Sequence, residues 1–283
     1  MKTFSTLKWR NLLRVNNYIL LFILGILLSP LAEAQKTHKV YGIKGVSIIN
    51  ENISYKEAKA EALNDAKINA LKKAGVIENI NTYQVLMSTQ ENKDFSQYFS
   101  SGILTDLQGA ISGYKIVKDF RQIRKNENEL SVEVEIDAEV VSYETKSDPN
   151  FEVKLEGVRS IYDNNENLSF SVTPSMDCYL KVFSWEDGVA NMIYPNKFDK
   201  NMVLKKDEKT VFPLGRIDYK MVTDGILDEK SKWVFIFTKS NLPFVNIDEE
   251  LRTTTDNVLN WASLIAPDQK KVIYKSVLIQ HNK

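Results

Sequence analysis

Few side chains in this sequence are placed to perform catalysis. Beyond residue 34 the chain has two histidines, His38 and His281, and each lies close to one end of that segment. Neither has a second histidine or a cysteine at ligand spacing, so a zinc site is not expected. Neither is held on a rigid element from which it could activate a nucleophile, and no glycine-rich phosphate-binding loop is present. We therefore predict no catalytic residues, no metal site and no cofactor.

Carboxylates are the remaining candidates for chemistry. Asp187, Asp199 and Asp207 lie near predicted turns, and we interpret them as solvated turn acids. With 37 Asp and Glu residues in the chain, a carboxylate-dependent hydrolase stays open as an alternative, because the sequence does not show which two acids converge. The single cysteine, Cys178, lies in an apolar strand-like run and is interpreted as a small core residue.

A candidate contact surface clusters instead around one predicted β-hairpin. Its residues are Trp185, Asp187, Gly188, Tyr194, Pro195 and Asn196. An Asp-Gly pair between two apolar strands is typical of a tight turn, because both turn positions favour positive φ. Three aromatic residues, Trp185, Tyr194 and Trp233, could stack on a sugar ring, so a glycan- or small-molecule-binding protein is a further alternative.

The elements that would carry these residues begin with an α+β module at residues 36–146. A strand is predicted over 39–50, and a capping box at Ser54 and Glu57 then starts a helix that ends at Gly75. The stripe of small residues on this helix indicates close packing against a sheet; its members are Ala58, Ala62, Ala66 and Ala70.

The rest of this module is predicted as a short second helix and a hairpin. Apolar residues at helical spacing place the helix within residues 95–107, and an alternating apolar and polar pattern places the hairpin over 114–140. The module is therefore β-α-(α)-β-β.

Residues 150–283 form the second predicted module, which is rich in β-strands. Short alternating segments separated by turn residues favour a mostly antiparallel β-sandwich, and one short helix is predicted over 257–265. The fold class is therefore α+β: a small mixed module followed by a sandwich-like one.

Two resemblances to known families follow from these patterns. The segments Leu180–Gly188, Met192–Asn196 and Lys209–Pro213 resemble the DUF4384 domain, a β-rich module of unknown function, over roughly residues 150–283. The alanine helix, the Gly113-Tyr114 strand start and the alternating hairpin are similar to the N-terminal domain of flagellar ring-assembly proteins and related small envelope lipoproteins. Both resemblances imply a place in the bacterial envelope, and neither implies catalytic residues.

The N-terminus has the features of a cleavable signal peptide spanning residues 1–34. A basic segment without acidic residues precedes an apolar run at 18–28, and Ala32-Glu33-Ala34 supplies the small residues that a signal peptidase needs. The apolar run is about half the roughly 20 residues required to span a bilayer. The residue directly after the cleavage site is Gln35 and not a cysteine, so no lipid anchor is expected.

The charge of the mature chain bears on its partners. Removal of four basic residues and Glu33 from totals of 37 and 37 leaves 33 basic and 36 acidic residues, a net charge of −3. This balance does not favour nucleic acid as a partner. We expect a non-enzymatic protein-interaction module, periplasmic or secreted, whose partner is an envelope protein, a cell-wall component or a second copy of itself.

The export prediction is tested by the mass of the mature protein. Purification from the native envelope or medium is expected to give a chain that begins at Gln35, because cleavage follows Ala34. A full-length polypeptide recovered from the cytosol would contradict it.

Overall fold

The computed structural model describes residues 35–50, 53–76, 108–126, 129–186, 188–215, 217–223 and 228–281. Within these ranges it contains fourteen β-strands and two α-helices, with several antiparallel sheets, which confirms the predicted α+β, sandwich-like class. The predicted signal peptide and the predicted helix at 95–107 lie outside the described residues. No helix among the described residues is both long enough and apolar enough to cross a membrane.

The bounds of the elements are as follows. The strands are β1 (Gln35–Ile49), β2 (Gly109–Asn126), β3 (Glu129–Tyr143), β4 (Val153–Glu156), β5 (Ile161–Asp163), β6 (Glu166–Leu168), β7 (Phe170–Pro174), β8 (Tyr179–Glu186), β9 (Val189–Tyr194), β10 (Thr210–Phe212), β11 (Tyr219–Met221), β12 (Glu229–Thr238), β13 (Arg252–Thr254) and β14 (Lys270–Gln280). The helices are α1 (Tyr55–Lys73) and α2 (Thr255–Ser263), and a 3₁₀ turn covers Pro267–Gln269.

The first sheet has the strand order β1-β3-β2, and helix α1 packs against it. The predicted capping box is present: the Ser54 hydroxyl accepts from the Glu57 amide at 3.3 Å, and the Ser54 amide donates to the Glu57 carboxylate at 2.7 Å. Gly75 follows the helix at φ +84°, the left-handed conformation expected of a helix stop. Local sequence signals therefore fix both ends of α1.

Helix α1 approaches β1 more closely than an ordinary helix approaches a sheet. A Cβ atom added to Gly45 in β1 would lie 2.0 Å from the Ala62 carbonyl oxygen and 2.3 Å from the Ala66 amide nitrogen. The four stripe alanines are fully buried. The predicted close approach is confirmed, and it needs a residue without Cβ on the strand as well as small residues on the helix.

The second part of the chain is organised around a six-stranded sheet in the order β13-β9-β8-β12-β14-β5. Its central strands β8, β12 and β14 pair antiparallel, and only the short β5 pairs parallel. A three-stranded sheet, β10-β7-β4, lies against one face, where the rings of Phe170 and Phe235 meet edge to face at 5.2 Å. The pair β11-β6 extends this layer.

Both faces of the six-stranded sheet are buried. In β12 the four residues from Val234 to Phe237 have no exposed surface. Val234 and Ile236 join a hydrophobic cluster shared with α1, β3 and α2, whereas Phe235 and Phe237 join the cluster inside the sandwich. Full burial of side chains of this size contributes about 1.5–3 kcal/mol each.

The two predicted modules meet through α2. The Tyr143 hydroxyl at the end of β3 donates to the Leu264 carbonyl at the end of α2, at 2.6 Å, and burial raises the pKa of Tyr143 to about 12. The chain from Lys36 to Lys283 forms one compact unit. The boundaries at 146 and 150 stay a prediction within that unit.

Packing at Gly45 generates a stability prediction. Gly45→Ala is expected to lower the free energy of unfolding by about 3 kcal/mol or more, because the new methyl group overlaps backbone atoms that cannot move independently. Gly113→Ala in β2 is the matched control, since nothing lies within 4 Å of its added Cβ. Urea unfolding of both variants measures the difference, and equal stabilities would contradict the packing described.

Candidate functional site

A cleft opens at one end of the six-stranded sheet, on the face that carries the sandwich core. We call it the sheet-end cleft, and its volume is about 430 Å³. The residues that line it are Ser184, Glu186, Asn191, Met192, Ile193, Asn196, Lys197, Phe198, Ile217, Tyr219, Lys220, Met221, Val222, Glu229, Ser231, Trp233, Leu251 and Ile279. This volume lies within the range of about 300–1,000 Å³ that is typical of small-ligand sites.

The floor of the cleft is polar because the side chains on the inward face of the sheet change from apolar to polar along its strands. In β8 the side chains on this face are Leu180 and Val182 in the core, then Ser184 and Glu186 in the cleft. In β12 the same change runs from Phe235 to Ser231 and Glu229, as alternate residues share a face. The cleft therefore begins where the covering layer of apolar side chains ends.

One wall is a tight loop held by hydrogen bonds. The side-chain oxygen of Asn196 accepts from the amides of Phe198 and Asp199, both at 2.8 Å, and its amide group donates to the Ile193 carbonyl at 2.8 Å. Phe198 is left half-exposed at the mouth. Asn196 therefore shapes this wall and fixes the position of Phe198.

The interpretation of Asp199 as a solvated turn acid is wrong, because its side chain is buried. One carboxylate oxygen accepts from the Tyr219 hydroxyl at 2.8 Å and from the Leu214 amide at 3.1 Å. Burial and the adjacent carboxylate raise the pKa of Tyr219, so this phenol remains a neutral donor. The contact ties the loop wall to β11, which forms the opposite wall.

Two residues of the predicted contact surface are not on the surface. Trp185 is 3% exposed and Tyr194 is fully buried, and they belong to the clusters on opposite faces of the sheet. Trp233 lines the cleft but is only 5% exposed. The prediction that these three rings offer a stacking surface is wrong, because apolar rings on central strands are covered on both faces.

Tyr194 has a structural role beneath the loop wall. Its hydroxyl donates to the Lys200 carbonyl at 3.0 Å and accepts from the Met202 amide at 3.2 Å. Burial raises the pKa of Tyr194 to about 12. The ring therefore supports the segment that forms the cleft wall without reaching the cleft.

The other predicted contact residues are divided between two places. Asn196 lines the cleft, and Pro195 lies beside it, partly buried. Gly188 is exposed at the turn between β8 and β9 with φ +82°, as the Asp-Gly signal predicts. Asp187 lies outside the described residues.

Cys178 is a buried core residue, as predicted. Burial raises the pKa of its thiol to about 12, so the reactive thiolate form is disfavoured at neutral pH. The thiol belongs to the sandwich core, together with Leu180 and Leu204.

The most informative cleft residues are ones that the sequence prediction missed: Ser184, Glu186, Glu229 and Ser231. A signal for them does exist in the sequence. Each is a polar residue whose side chain points to the core side of its strand. The other residues on that side of the strand are apolar, such as Phe235 and Phe237 in β12. Polar residues at core positions break the pattern expected of a strand, and such breaks are expected at functional sites.

Chemically, this arrangement can bind a ligand. No group of three or more His, Cys, Asp or Glu side chains within the described ranges could hold a metal ion. The cleft offers carboxylates, hydroxyls and an amide on a polar floor, with apolar walls around them. Such a set can orient a ligand that carries both an apolar part and hydrogen-bond donors.

Comparison with known families bears on the same part of the chain. Residues 161–240 match the family model of a domain of unknown function, DUF4384. No curated protein matches the chain. All the described cleft residues except Leu251 and Ile279 fall within the matched segment. The match confirms the DUF4384 resemblance for residues 161–240, and the resemblance of the first module to flagellar ring-assembly proteins is not supported by a family match.

Proposed function

We propose that this chain is an exported, non-enzymatic module that binds a component of the cell envelope through the sheet-end cleft. The grounds for export are the leader-like segment at residues 1–34 and the envelope families that both modules resemble in sequence. The grounds for binding come from the geometry of the cleft.

One observation carries the proposal: the cleft interrupts a core that is otherwise closely packed. Ser231 is 6% exposed and yet lines the cleft, two residues from Trp233 on the same strand. Space left beside a hydrophobic core costs stability. A ligand that fills the cleft offsets that cost.

The rim of the cleft also favours a macromolecular partner. Phe198 and Val222 lie at the cleft and expose about half of their surface, 47% and 48%. Large apolar side chains exposed around a concave site are typical of places where another surface docks. An envelope protein is therefore our first candidate partner.

A carboxylate-dependent hydrolase is the second candidate, because Glu186 and Glu229 line one cleft. A general acid of this type needs a carboxyl group that is withdrawn from water. Glu186 is exposed and Glu229 is only partly buried. Binding therefore accounts for the site better than hydrolysis does.

Site-specific photo-crosslinking tests the proposal. A benzophenone amino acid at position 222, on the rim, is expected to capture a discrete envelope component in cells that produce the protein. The matched control is position 211, an equally exposed valine (53%) on β10 that does not line the cleft.

Discrete products from position 222 alone support the proposal. Absence of products at position 222, or the same products from both positions, would refute it.

A further inference from the structure

Among the residues that the structure describes, the inward floor of the sheet-end cleft carries acidic and no basic side chains. Glu186 and Glu229 lie on the inward face of β8 and β12. Lys230 and Lys232 alternate with the inward residues of β12 and therefore point to its other face. Glu229 therefore brings a carboxylate to a floor on which the described residues place no basic side chain.

The two lysines at the cleft wall lie on its outer side and at its mouth. Lys220 is exposed between the buried Tyr219 and Met221, so its side chain leaves β11 on the outer side. The Lys197 ammonium lies 5.4 Å from the ring centre of its neighbour Phe198, at the mouth. Among the described cleft residues, the two lysines therefore lie at the entrance, and the Glu229 carboxylate lies on the floor.

Ser231 is a second polar feature of this floor. It is 94% buried and lines the cleft, and its hydroxyl has no hydrogen-bond partner among the described residues. Lys232 pairs with Trp185 in the sheet, and this register places Ser231 beside Glu186. Glu229 lies two residues away on the same face and forms no ion pair or hydrogen bond with a described side chain.

These groups match one kind of ligand. An ammonium group has three donors and no acceptor, and the floor presents the Ser231 hydroxyl and, two residues along β12, the Glu229 carboxylate. The apolar walls suit an alkyl chain that carries such a group, since long basic side chains bury their methylenes and keep the charged end on polar partners. The wall residues with apolar surface are Ile217, Tyr219, Met221, Val222 and Trp233.

We infer that the sheet-end cleft receives the side chain of a lysine from a partner protein, with its ammonium group on Ser231 and Glu229. This inference rests on the proposed binding function of the cleft. It adds the chemical class of the group that enters.

The test uses 1,5-diaminopentane as a probe for the lysine side chain and 1,5-pentanediol as its uncharged counterpart. Binding to the mature protein is followed by NMR through the indole N–H signal of Trp233, which is assigned by its loss in Trp233→Phe. The diamine is expected to shift this signal saturably and the diol is not.

Variants identify the groups responsible. Glu229→Gln keeps the shape of the side chain and is expected to weaken diamine binding by about tenfold or more, because a charge-assisted hydrogen bond is lost. Ser231→Ala is expected to weaken it about threefold, the size of one neutral hydrogen bond. Glu208→Gln, at an exposed position that does not line the cleft, is the control and leaves binding unchanged.

Three results would overturn the inference: equal shifts with diamine and diol, no shift with either, or unchanged diamine affinity in Glu229→Gln. A crosslinked partner whose captured segment lacks lysine would also overturn it, in favour of a free amine. If position 222 still captures the partner in Glu229→Gln and Ser231→Ala, the inference is refuted and the proposed function is not. If position 222 captures nothing in the protein without these substitutions, the proposed function is refuted.

Discussion

The structure depends on one sheet that is buried on both faces. Within β12, consecutive residues from Val234 to Phe237 alternate between two hydrophobic clusters, so the strand cannot shift by one residue without exchanging the sides of its core. One cluster closes the sandwich, and the other joins the sheet to α1, β3 and α2. The register of this strand therefore positions both the sandwich layer and the first module.

The sheet-end cleft follows from the same constraint. The covering sheet is short, whereas β8 and β12 continue beyond it. At that point the inward positions change from Val182 and Phe235 to Ser184, Ser231 and Glu229. The rigid part of the strand holds these polar groups in fixed positions, which is the condition for selective binding at low entropic cost.

Local signals predicted much of the fold. The capping box at Ser54 and the glycine stop at Gly75 are read from a few neighbouring residues, and the alternating hairpins are read in the same way. The site depends on which strands are neighbours and how far each extends beyond the layer above it. Trp185 and Tyr194 were predicted to lie in a contact surface, but tertiary packing covers both faces of their strands and buries both rings.

The cleft could have been found only in part. The sequence shows that β8 and β12 carry polar residues on their core side. It does not show that these residues meet in one cleft, because that follows from the pairing of Lys232 with Trp185 in the sheet. Likewise, Asp199 looks like a turn acid until Tyr219, from a distant segment, is seen to donate to it. In both cases the decisive partner is far away in sequence.

The central claim is that the cleft is open at Ser231 and attracts positive charge. The most direct test is the reaction of Ser231→Cys with two methanethiosulfonate reagents of similar size, one with an aminoethyl and one with a sulfonatoethyl group. The native Cys178 is fully buried and serves as an internal standard that stays unmodified. The account predicts that the cationic reagent reacts about tenfold faster or more, because the Glu229 carboxylate, two residues away on the same face of β12, attracts cations to the cleft. Equal rates, or faster reaction with the anionic reagent, would contradict it.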